Sequence, residues 1–224
     1  MESLRMKKHN TDGCLITFCG LDGCGKTTMI KKFNEWLQRE YGVLPHLTRE
    51  PTDLVRNSEI FRTFMDCKDN NNFEYRSLSL LAASDRVQHS NKVIAPLLKE
   101  SNTIISDRYF YSCLANLRAR GYKLDKWIYE VSESIIQPDI AFFIDVPVEI
   151  AIERVRSRPE EKDRYIDVEL QCKLREEYKN ICNMNGGILL SSTDSEEKTF
   201  NDICIAYKEL IERMENIWKI MCTK

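Results

Sequence analysis

The feature that most constrains the fold of this chain is a glycine-rich octapeptide that directly follows an apolar run. The run is residues 14–19, and the next eight residues, 20–27, read GLDGCGKT and fit the pattern G-x-x-x-x-G-K-[ST]. Such a segment between a strand and a helix is a P-loop, whose backbone amides and helix start face the oxygens of a polyphosphate. A glycine-rich turn that fits the pattern by chance is the alternative. In this context the pattern predicts nucleotide binding.

The P-loop predicts particular contacts to the nucleotide. Lys26 adds a point charge beside the phosphates, and the hydroxyl of Thr27 is suited to bind magnesium. The residues that we expect around the phosphates are Gly20, Asp22, Gly23, Cys24, Gly25, Lys26, Thr27 and Thr28. A GTP switch is disfavoured, because the only Asn-Lys pair, Asn91-Lys92, is followed by Val93-Ile94 and does not form a guanine-reading motif.

Short apolar runs alternate along the chain with longer segments of helical periodicity, which is typical of βαβ units and a parallel sheet. The predicted strands are residues 14–19, 43–48, 103–107, 140–145 and 187–191. The predicted helices are residues 26–40, 54–66, 74–99, 111–134, 147–157, 165–183 and 196–221. We expect an α/β, P-loop NTPase-type fold with three layers, in which a five-stranded parallel sheet is flanked by helices on both faces. Residues 1–224 contain no repeat or linker, which predicts a single domain.

Composition excludes several classes of partner. The chain has 33 Lys and Arg against 35 Asp and Glu, and a net charge of −2 provides no general attraction to nucleic acid or acidic membranes. Its nine cysteines include no Cys-x-x-Cys pair, which disfavours a zinc site. Residues 1–13 are polar and no run of 18 apolar residues occurs, so we expect a cytoplasmic protein with reduced thiols and no membrane partner.

Three further arginines are predicted on the same side of the sheet as the P-loop. Arg49 follows the second predicted strand, Arg108 follows the third, and Arg86 lies in a helix. Ligands of parallel α/β sheets bind beyond the carboxyl ends of the strands, so these guanidinium groups predict a second anion site. A surface ion pair is the alternative for each one alone. Asp107 ends the third strand, where a carboxylate either holds magnesium or caps a helix.

A cluster of cations follows the fourth predicted strand, over residues 154–164. It consists of Arg154, Arg156, Arg158, Lys162 and Arg164, on either side of Pro159. Such a segment is able to close over phosphates as a lid, exclude water and supply positive charge. Glu153, Glu160, Glu161 and Asp163 interleave with the cations, so a solvated charged helix end is the alternative.

Taken together, these motifs resemble those of the thymidylate kinase family of nucleoside monophosphate kinases, from about residue 14 to 215. The matching elements are Asp22 in the P-loop, Arg49-Glu50-Pro51, Leu80-Leu81 with Arg86, Asp107-Arg108-Tyr109 with Ser112, Pro138-Asp139, Asp145-Val146-Pro147 and the arginines of the lid. No single element is decisive, but their order and spacing are specific.

The resemblance implies a kinase that uses ATP and Mg²⁺ and typically forms a homodimer. Its implied catalytic residues are Lys26, Arg108, Arg154 and Arg158, of which Lys26 and the two lid arginines hold the donor phosphates. Its implied acceptor residues are Asp22 on the sugar 3′-hydroxyl, Arg49, Arg86 and Arg108 on the phosphate, Tyr109 near the 2′ position, Glu50 and Ser112. Thr27 and Asp107 would serve magnesium, and Thr193 would border adenine. Gly23 replaces an arginine of some members, and a basic lid compensates in that arrangement.

Two departures from the family pattern concern the acceptor base. Ala82 stands where the family usually has an aromatic ring that stacks on thymine, and Asn116-Leu117 replaces a common Tyr-Gln pair. Phe110, Tyr111 and Phe73 are candidates for the missing ring. The preferred hypothesis is transfer of the ATP γ-phosphoryl group to dTMP. The alternatives are a monophosphate kinase with another base preference, a deoxynucleoside kinase with Glu50 as general base, and a nucleotide-binding regulatory protein without transfer.

Overall fold

The structure is a computed structural model. It describes the backbone of residues 2–66, 74–193 and 195–222, and the side chains of these residues except 66 and 215–222. The strands are β1 (Cys14–Gly20), β2 (His46–Arg49), β3 (Thr103–Asp107), β4 (Ile140–Asp145) and β5 (Ile188–Ser191). They form one parallel sheet in the order β2-β3-β1-β4-β5. The prediction of a five-stranded parallel sheet flanked by helices is confirmed.

The helices connect the strands in sequence. They are α1 (Lys26–Tyr41), α2 (Asp53–Arg56), α3 (Glu59–Asp66), α4 (Tyr75–His89), α5 (Ala95–Lys99), α6 (Phe110–Ala119), α7 (Trp127–Ser132), α8 (Val148–Arg156), α9 (Val168–Met184) and α10 (Glu196–Cys222). A π-helical turn, Ser90–Ile94, joins α4 to α5, and a 3₁₀ turn, Pro159–Glu161, follows α8. In the described part of the chain no helix is both long enough and apolar enough to cross a membrane.

Adjacent residues of β4 show how the helices cover both faces of the sheet. Phe142 packs on Phe18 of β1, with ring centroids 5.1 Å apart, and both contact Phe33 of α1. Phe143 points the other way, to Tyr178 of α9 at 6.4 Å. Successive side chains of a strand alternate between faces, so one layer contains α1 and the other α9. Helix α10 packs with α1, and α6 packs between α4 and α9.

Several predicted helices and strands differ in their bounds. The predicted helix 111–134 was wrong as one element, because α6 ends at Ala119 and the chain turns through Gly121, whose φ is 93°. The predicted helix 54–66 is divided into α2 and α3 at Asn57–Ser58. The predicted strand 43–48 starts later, at His46, directly after Pro45, which has no amide hydrogen to donate. The polar stretch at residues 67–72, which the sequence predicts to be a loop, lies outside the described residues.

The parallel register brings the carboxyl ends of the strands to one edge. Phe18 of β1 pairs with Asp107, and Asp107 also pairs with Arg49 of β2. On the other side Gly20 pairs with Ile144. The P-loop therefore emerges beside the ends of β2 and β3, where the sequence predicts arginines.

Candidate active site

The P-loop wraps around the ammonium group of Lys26. Its Nζ donates to the carbonyl oxygens of Gly20 at 3.1 Å and Leu21 at 2.7 Å, and the residue is 6% exposed. Gly25 precedes α1 with a φ of 98°, a left-handed conformation that glycine adopts without steric cost. The local sequence thus places a buried cation at the N-terminus of a helix, the arrangement that attracts phosphate.

Gly23 has no room for a side chain. A Cβ atom at this position would collide with the carbonyl oxygen of Ala151 in α8 and lie 3.1 Å from Cγ2 of Val155. An arginine of the kind carried by some P-loops is therefore sterically excluded here. Positive charge has to come from another segment, and α8 leads directly into the predicted lid.

A cavity of about 470 Å³, here called the main cavity, opens at the carboxyl edge of the sheet. Of the residues predicted to form the site, those that line it are Gly20, Asp22, Gly23, Gly25, Lys26, Thr27, Thr28, Arg49, Arg86, Asp107, Arg108, Ser112 and Arg158. The predicted residues absent from the described lining are Cys24, Glu50, Tyr109, Arg154 and Thr193. Residues from six separate segments of the chain therefore meet around Lys26.

Arg108 is held in an unusual backbone conformation. Its φ is 68°, a value that costs a non-glycine residue about 1–2 kcal/mol. Its amide donates to Phe18 at 2.8 Å, and its carbonyl accepts from Oγ of Ser106 at 2.7 Å. These two bonds hold the turn after β3, and the turn directs the side chain of Arg108 into the main cavity.

The guanidinium of Arg108 is fixed by three partners. Nη1 donates to the carbonyl of Gly20 and to the hydroxyl of Tyr178, each at 3.0 Å, and Nη2 contacts Asp22. Burial alone would lower the pKa of Arg108, but the charges around it, of which Asp22 is the largest contributor and Tyr178 and Asp107 follow, together raise that pKa. In turn, chiefly the charge of Arg108 lowers the pKa of Asp22, with contributions from Lys26 and Arg164. Asp22 is thus a carboxylate among cations. Tyr178, which also lines the main cavity, was not predicted from the sequence.

Asp107 carries an unsatisfied oxygen in the main cavity. Its Oδ1 is buried and has no hydrogen-bond partner in the part of the chain that the structure describes. An unpaired buried carboxylate oxygen is costly unless a ligand completes it. Thr27 lines the same cavity. A carboxylate and a hydroxyl beside phosphate-binding amides form a donor set that fits Mg²⁺, which keeps several water and phosphate ligands.

Arg49 and Arg86 both line the main cavity, but they differ in solvent exposure and in their partners. Arg49 is exposed, and its Nη2 pairs with Asp53 at 2.6 Å. Arg86 is 3% exposed; its Nη1 donates to the carbonyl of Ala82 at 2.9 Å, and its Nε lies 3.1 Å from Oε2 of Glu50. Glu50 itself is fully buried behind Arg86.

Two arginines in the lining were missed from the sequence. Arg56 of α2 donates through Nε to the carbonyl of Pro51 at 2.7 Å, and chiefly burial lowers its pKa. Arg120 follows α6 and donates through Nη1 to Oδ1 of Asn116 at 2.8 Å. Neither belongs to a recognisable motif. The one signal in the sequence was that Arg56 lies a few residues after Arg49-Glu50-Pro51, the motif at the end of a predicted strand.

Three aromatic rings of α3 and α4 line the main cavity, which Ala82 also lines. They are Phe61, Phe64 and Tyr75, here called the aromatic wall. The guanidinium of Arg120 stacks 4.0 Å from the ring of Tyr75, and burial raises the pKa of Tyr75 to about 12, which keeps its hydroxyl neutral. The candidates Phe110 and Tyr111 are instead buried in the core. The third candidate, Phe73, lies outside the described residues.

The position of Tyr109 does not support a contact with a sugar. Its side chain is fully buried, and its hydroxyl donates to the carbonyl of Ile136 at 2.7 Å. Because the turn at Arg108 directs that arginine outward, the next side chain enters the core. Ser112, three residues later, does reach the main cavity and accepts a hydrogen bond from Tyr178 at 3.0 Å.

Three of the five lid cations make contacts near the P-loop, and they fall into two groups. Arg154 donates to Oγ and the carbonyl of Ser192 at 3.2 and 3.1 Å, beside Thr193 and near Gly25. Arg158 and Arg164 line the main cavity and share Glu161 at 3.2 and 2.8 Å. Arg164 also reaches Asp22 at 3.4 Å. The lid therefore lies over the P-loop, with Arg154 at one end and Arg158 and Arg164 at the other.

Comparison with known proteins points to one family. The family model of thymidylate kinase matches residues 18–203. A probable thymidylate kinase of Thermococcus kodakarensis is 35% identical over 88% of this chain and 97% of its own length. One from Pyrococcus horikoshii is 38% identical over 77% of this chain and 84% of its own, and a thymidylate kinase of Prochlorococcus marinus is 32% identical over 89% and 98%. With the motifs of the P-loop, the β3 end and the lid all within the matched region, this chain belongs to the thymidylate kinase family.

Proposed function

We propose that this protein transfers the γ-phosphoryl group of ATP to dTMP and releases dTDP and ADP. The observation that carries the proposal is the gathering of Lys26, Asp107 and a set of arginines around one cavity. The two nucleotides repel each other, because both are polyanions. Guanidinium groups at their meeting point offset that repulsion and orient the phosphates by bidentate contacts.

At the donor end, the P-loop amides and Lys26 bind the β- and γ-phosphates of ATP. Release of Lys26 from the carbonyls of Gly20 and Leu21 frees its ammonium for the phosphate oxygens. Arg154 borders the adenosine side next to Ser192 and Thr193, while Arg158 supplies charge near the transferred group. Thr27 and Asp107 would hold Mg²⁺, which neutralises charge on the donor phosphates when bound.

At the acceptor end, Arg49, Arg86 and Arg108 grip the phosphate of dTMP, and Asp22 accepts from the sugar 3′-hydroxyl. The attacking phosphate oxygen is already ionised near pH 7, because the second pKa of a phosphate monoester is about 6. No general base is required, so catalysis rests on positioning and on charge neutralisation. The aromatic wall and Arg120 then enclose the base.

The position of Glu50 argues against the deoxynucleoside kinase alternative. A kinase that phosphorylates a neutral hydroxyl needs a carboxylate within hydrogen-bond reach of that oxygen. Glu50, the candidate base, is about 1% exposed and faces Arg86 and His89 in the interior. It is absent from the described lining of the main cavity. A monophosphate acceptor therefore suits this site better.

We further propose that residues 1–224 form one kinase domain and that the protein is cytoplasmic. We also propose that two copies of the chain form a homodimer. A groove of about 800 Å³ between α2 and α4 is lined by Leu47, Leu54 and Val93, which are 56%, 79% and 42% exposed. Exposed apolar side chains gathered on one face favour a subunit contact. Analytical ultracentrifugation of the wild type and of Leu54→Glu tests this; a wild-type monomer at micromolar concentration would contradict it.

The function is tested by coupled ADP release with Mg-ATP and a panel of acceptors. The panel contains dTMP, dUMP, dCMP, dGMP, dAMP and thymidine. We expect turnover with dTMP and none with thymidine. Turnover with another monophosphate alone would show a changed base preference, and turnover with thymidine alone would support a nucleoside kinase. ATP binding without transfer to any acceptor would favour a regulatory nucleotide-binding protein and defeat the proposal.

A further inference from the structure

A chain of buried polar contacts lies directly behind Arg86. Its Nε is 3.1 Å from Oε2 of Glu50, and Oε1 of Glu50 is 3.1 Å from Nδ1 of His89. Nε2 of His89 in turn lies 2.9 Å from Oγ1 of Thr48 on β2. The side chains of Glu50, Arg86 and His89 are 1%, 3% and 7% exposed. Water therefore has little access to the charges of this chain.

The two contacts of Glu50 differ in quality. Nδ1 of His89 forms a hydrogen bond to Oε1, whereas neither Nε of Arg86 nor Oε2 has an aligned hydrogen-bond partner among the described residues. The 3.1 Å approach of Arg86 to Glu50 is thus a close ion pair without a well-directed bond. A carboxylate that is free to rotate would turn toward the guanidinium, because charge-assisted bonds are stronger when they are linear.

We propose that His89 is a positioning residue for the acceptor site: it holds the Glu50 carboxylate in place and thereby keeps the guanidinium of Arg86 directed at the main cavity. The inference rests on the proposed function, in which Arg86 binds the acceptor phosphate. The backbone of Glu50 is anchored independently, because its amide donates to the carbonyl of Asp107 at 3.0 Å. His89 therefore acts on the orientation of the Glu50 side chain and leaves its backbone unchanged.

Loss of this bond has a defined consequence. Without His89, the carboxylate of Glu50 rotates to form an aligned bond with Nε of Arg86 and draws the guanidinium away from the cavity. The affinity for the acceptor then falls. The P-loop, residues 20–28, should keep its geometry, because within the described residues the hydrogen bonds and ion pairs of these four side chains do not involve it.

Two substitutions test the roles of the two ring nitrogens of His89 one at a time. His89→Asn keeps an N–H donor at the place of Nδ1 and loses the contact with Thr48, whereas His89→Gln keeps a donor near the place of Nε2 and loses the bond to Glu50. Asn has the lower helix propensity of the two, and position 89 is the last residue of α4. A merely structural role would therefore make His89→Asn the worse variant, while positioning of Glu50 predicts the opposite order.

The experiment measures dTMP affinity by titration calorimetry and steady-state constants for wild type, His89→Asn, His89→Gln and Thr48→Val. We expect His89→Gln to weaken dTMP binding and raise the KM for dTMP about tenfold, with the KM for ATP unchanged. His89→Asn and Thr48→Val should stay near wild type. Thermal melts record the stability of each variant.

Three outcomes would overturn the inference. One is equal loss of dTMP affinity in His89→Asn and His89→Gln, and another is a loss that follows their melting temperatures. The third is wild-type affinity in His89→Gln. Failure of the proposed function gives a different result. If the wild type binds dTMP and ATP without turnover, phosphoryl transfer is contradicted, but the calorimetric comparison of the His89 variants stays valid. A wild type that does not bind dTMP contradicts both.

Discussion

The two ends of the main cavity are built in different ways. The proposed donor end is built mainly from one continuous segment, residues 20–28, to which Asp107 and the lid arginines Arg154 and Arg158 add charge. The acceptor end takes side chains from β2, α2, α3, α4, α6 and the lid, among them Arg49, Arg86 and Arg120. A phosphate site made of contiguous backbone depends on local geometry, whereas a base site made of distant side chains depends on packing. Substitutions should therefore affect the two ends differently.

The largest effect is expected at the donor end from Lys26→Met. It removes the buried ammonium that we propose to bind the donor phosphates, and loss of one such transition-state contact lowers kcat by about 10²- to 10³-fold. Acceptor binding should persist, which calorimetry with dTMP would check. Lys31→Met is the matched control, because Lys31 lies on the same helix α1 with an exposed side chain. A folded Lys26→Met variant with kcat within tenfold of wild type would contradict the difference between the two ends.

The variants Gly23→Ala and Gly25→Ala separate two contributions to the loss of stability, a steric collision and backbone strain. Both positions have positive φ, 80° and 98°, which costs a residue with Cβ about 1–2 kcal/mol. Only Gly23 also faces a collision with Ala151, whereas the nearest atom to a Cβ at Gly25 is Nη1 of Arg154 at 3.9 Å. Urea unfolding should show Gly23→Ala to be less stable by a further ~1–3 kcal/mol. Equal losses of unfolding free energy in the two variants would show that α8 shifts to make room for the added methyl group.

At the acceptor end, Arg120→Ala should change only acceptor recognition. The guanidinium stacks on Tyr75 and lines the cavity, and removal of a partly desolvated cation–π contact is worth about 1–2 kcal/mol. We expect the KM for dTMP to rise roughly five- to thirtyfold, with the KM for ATP unchanged. Arg62→Ala, on the exposed side of α3, is the control. A parallel rise in both KM values would mean that the two ends are coupled.

The smallest effect is a pH-dependent one at the junction of the two ends. The folded state lowers the pKa of Asp22, chiefly through Arg108, so ionised Asp22 stabilises the fold at pH values above its ordinary pKa of about 4. That contribution is lost as pH falls toward the lowered pKa. The melting temperature of the wild type should exceed that of Asp22→Asn at pH 7, and the difference should shrink below about pH 4. Asp22 is 47% exposed, so screening keeps the effect below about 1 kcal/mol.

Asp163→Asn controls for the loss of a carboxylate, since Asp163 is exposed in the lid rather than in the P-loop. A difference between wild type and Asp22→Asn that does not change between pH 7 and pH 3 would contradict the role of ionised Asp22. Salt should weaken the effect, because the ion pairs with Arg108 and Arg164 are near the surface.

Much of the fold was predictable because it depends on short-range patterns. The strands β3 and β4 were predicted with their observed bounds, since uninterrupted apolar runs favour buried parallel strands. The break between α6 and α7 was missed, because helical periodicity continues across Gly121 although the backbone does not. Tyr109 was expected in the site because the family resemblance implies a contact near the 2′ position of the sugar. The left-handed turn at Arg108 sends the two side chains in different directions.

The sequence by itself determined the P-loop, the parallel sheet and the arginines at the ends of β2 and β3, because each of these follows from residues close together in the chain. Tertiary structure alone decided that Phe61, Phe64 and Tyr75 form the wall at the acceptor end, and that Glu50 lies buried behind Arg86. These features depend on how helices separated by many residues pack against one another. Packing is set by the shape and volume of all the contacting side chains together, and no local motif records it.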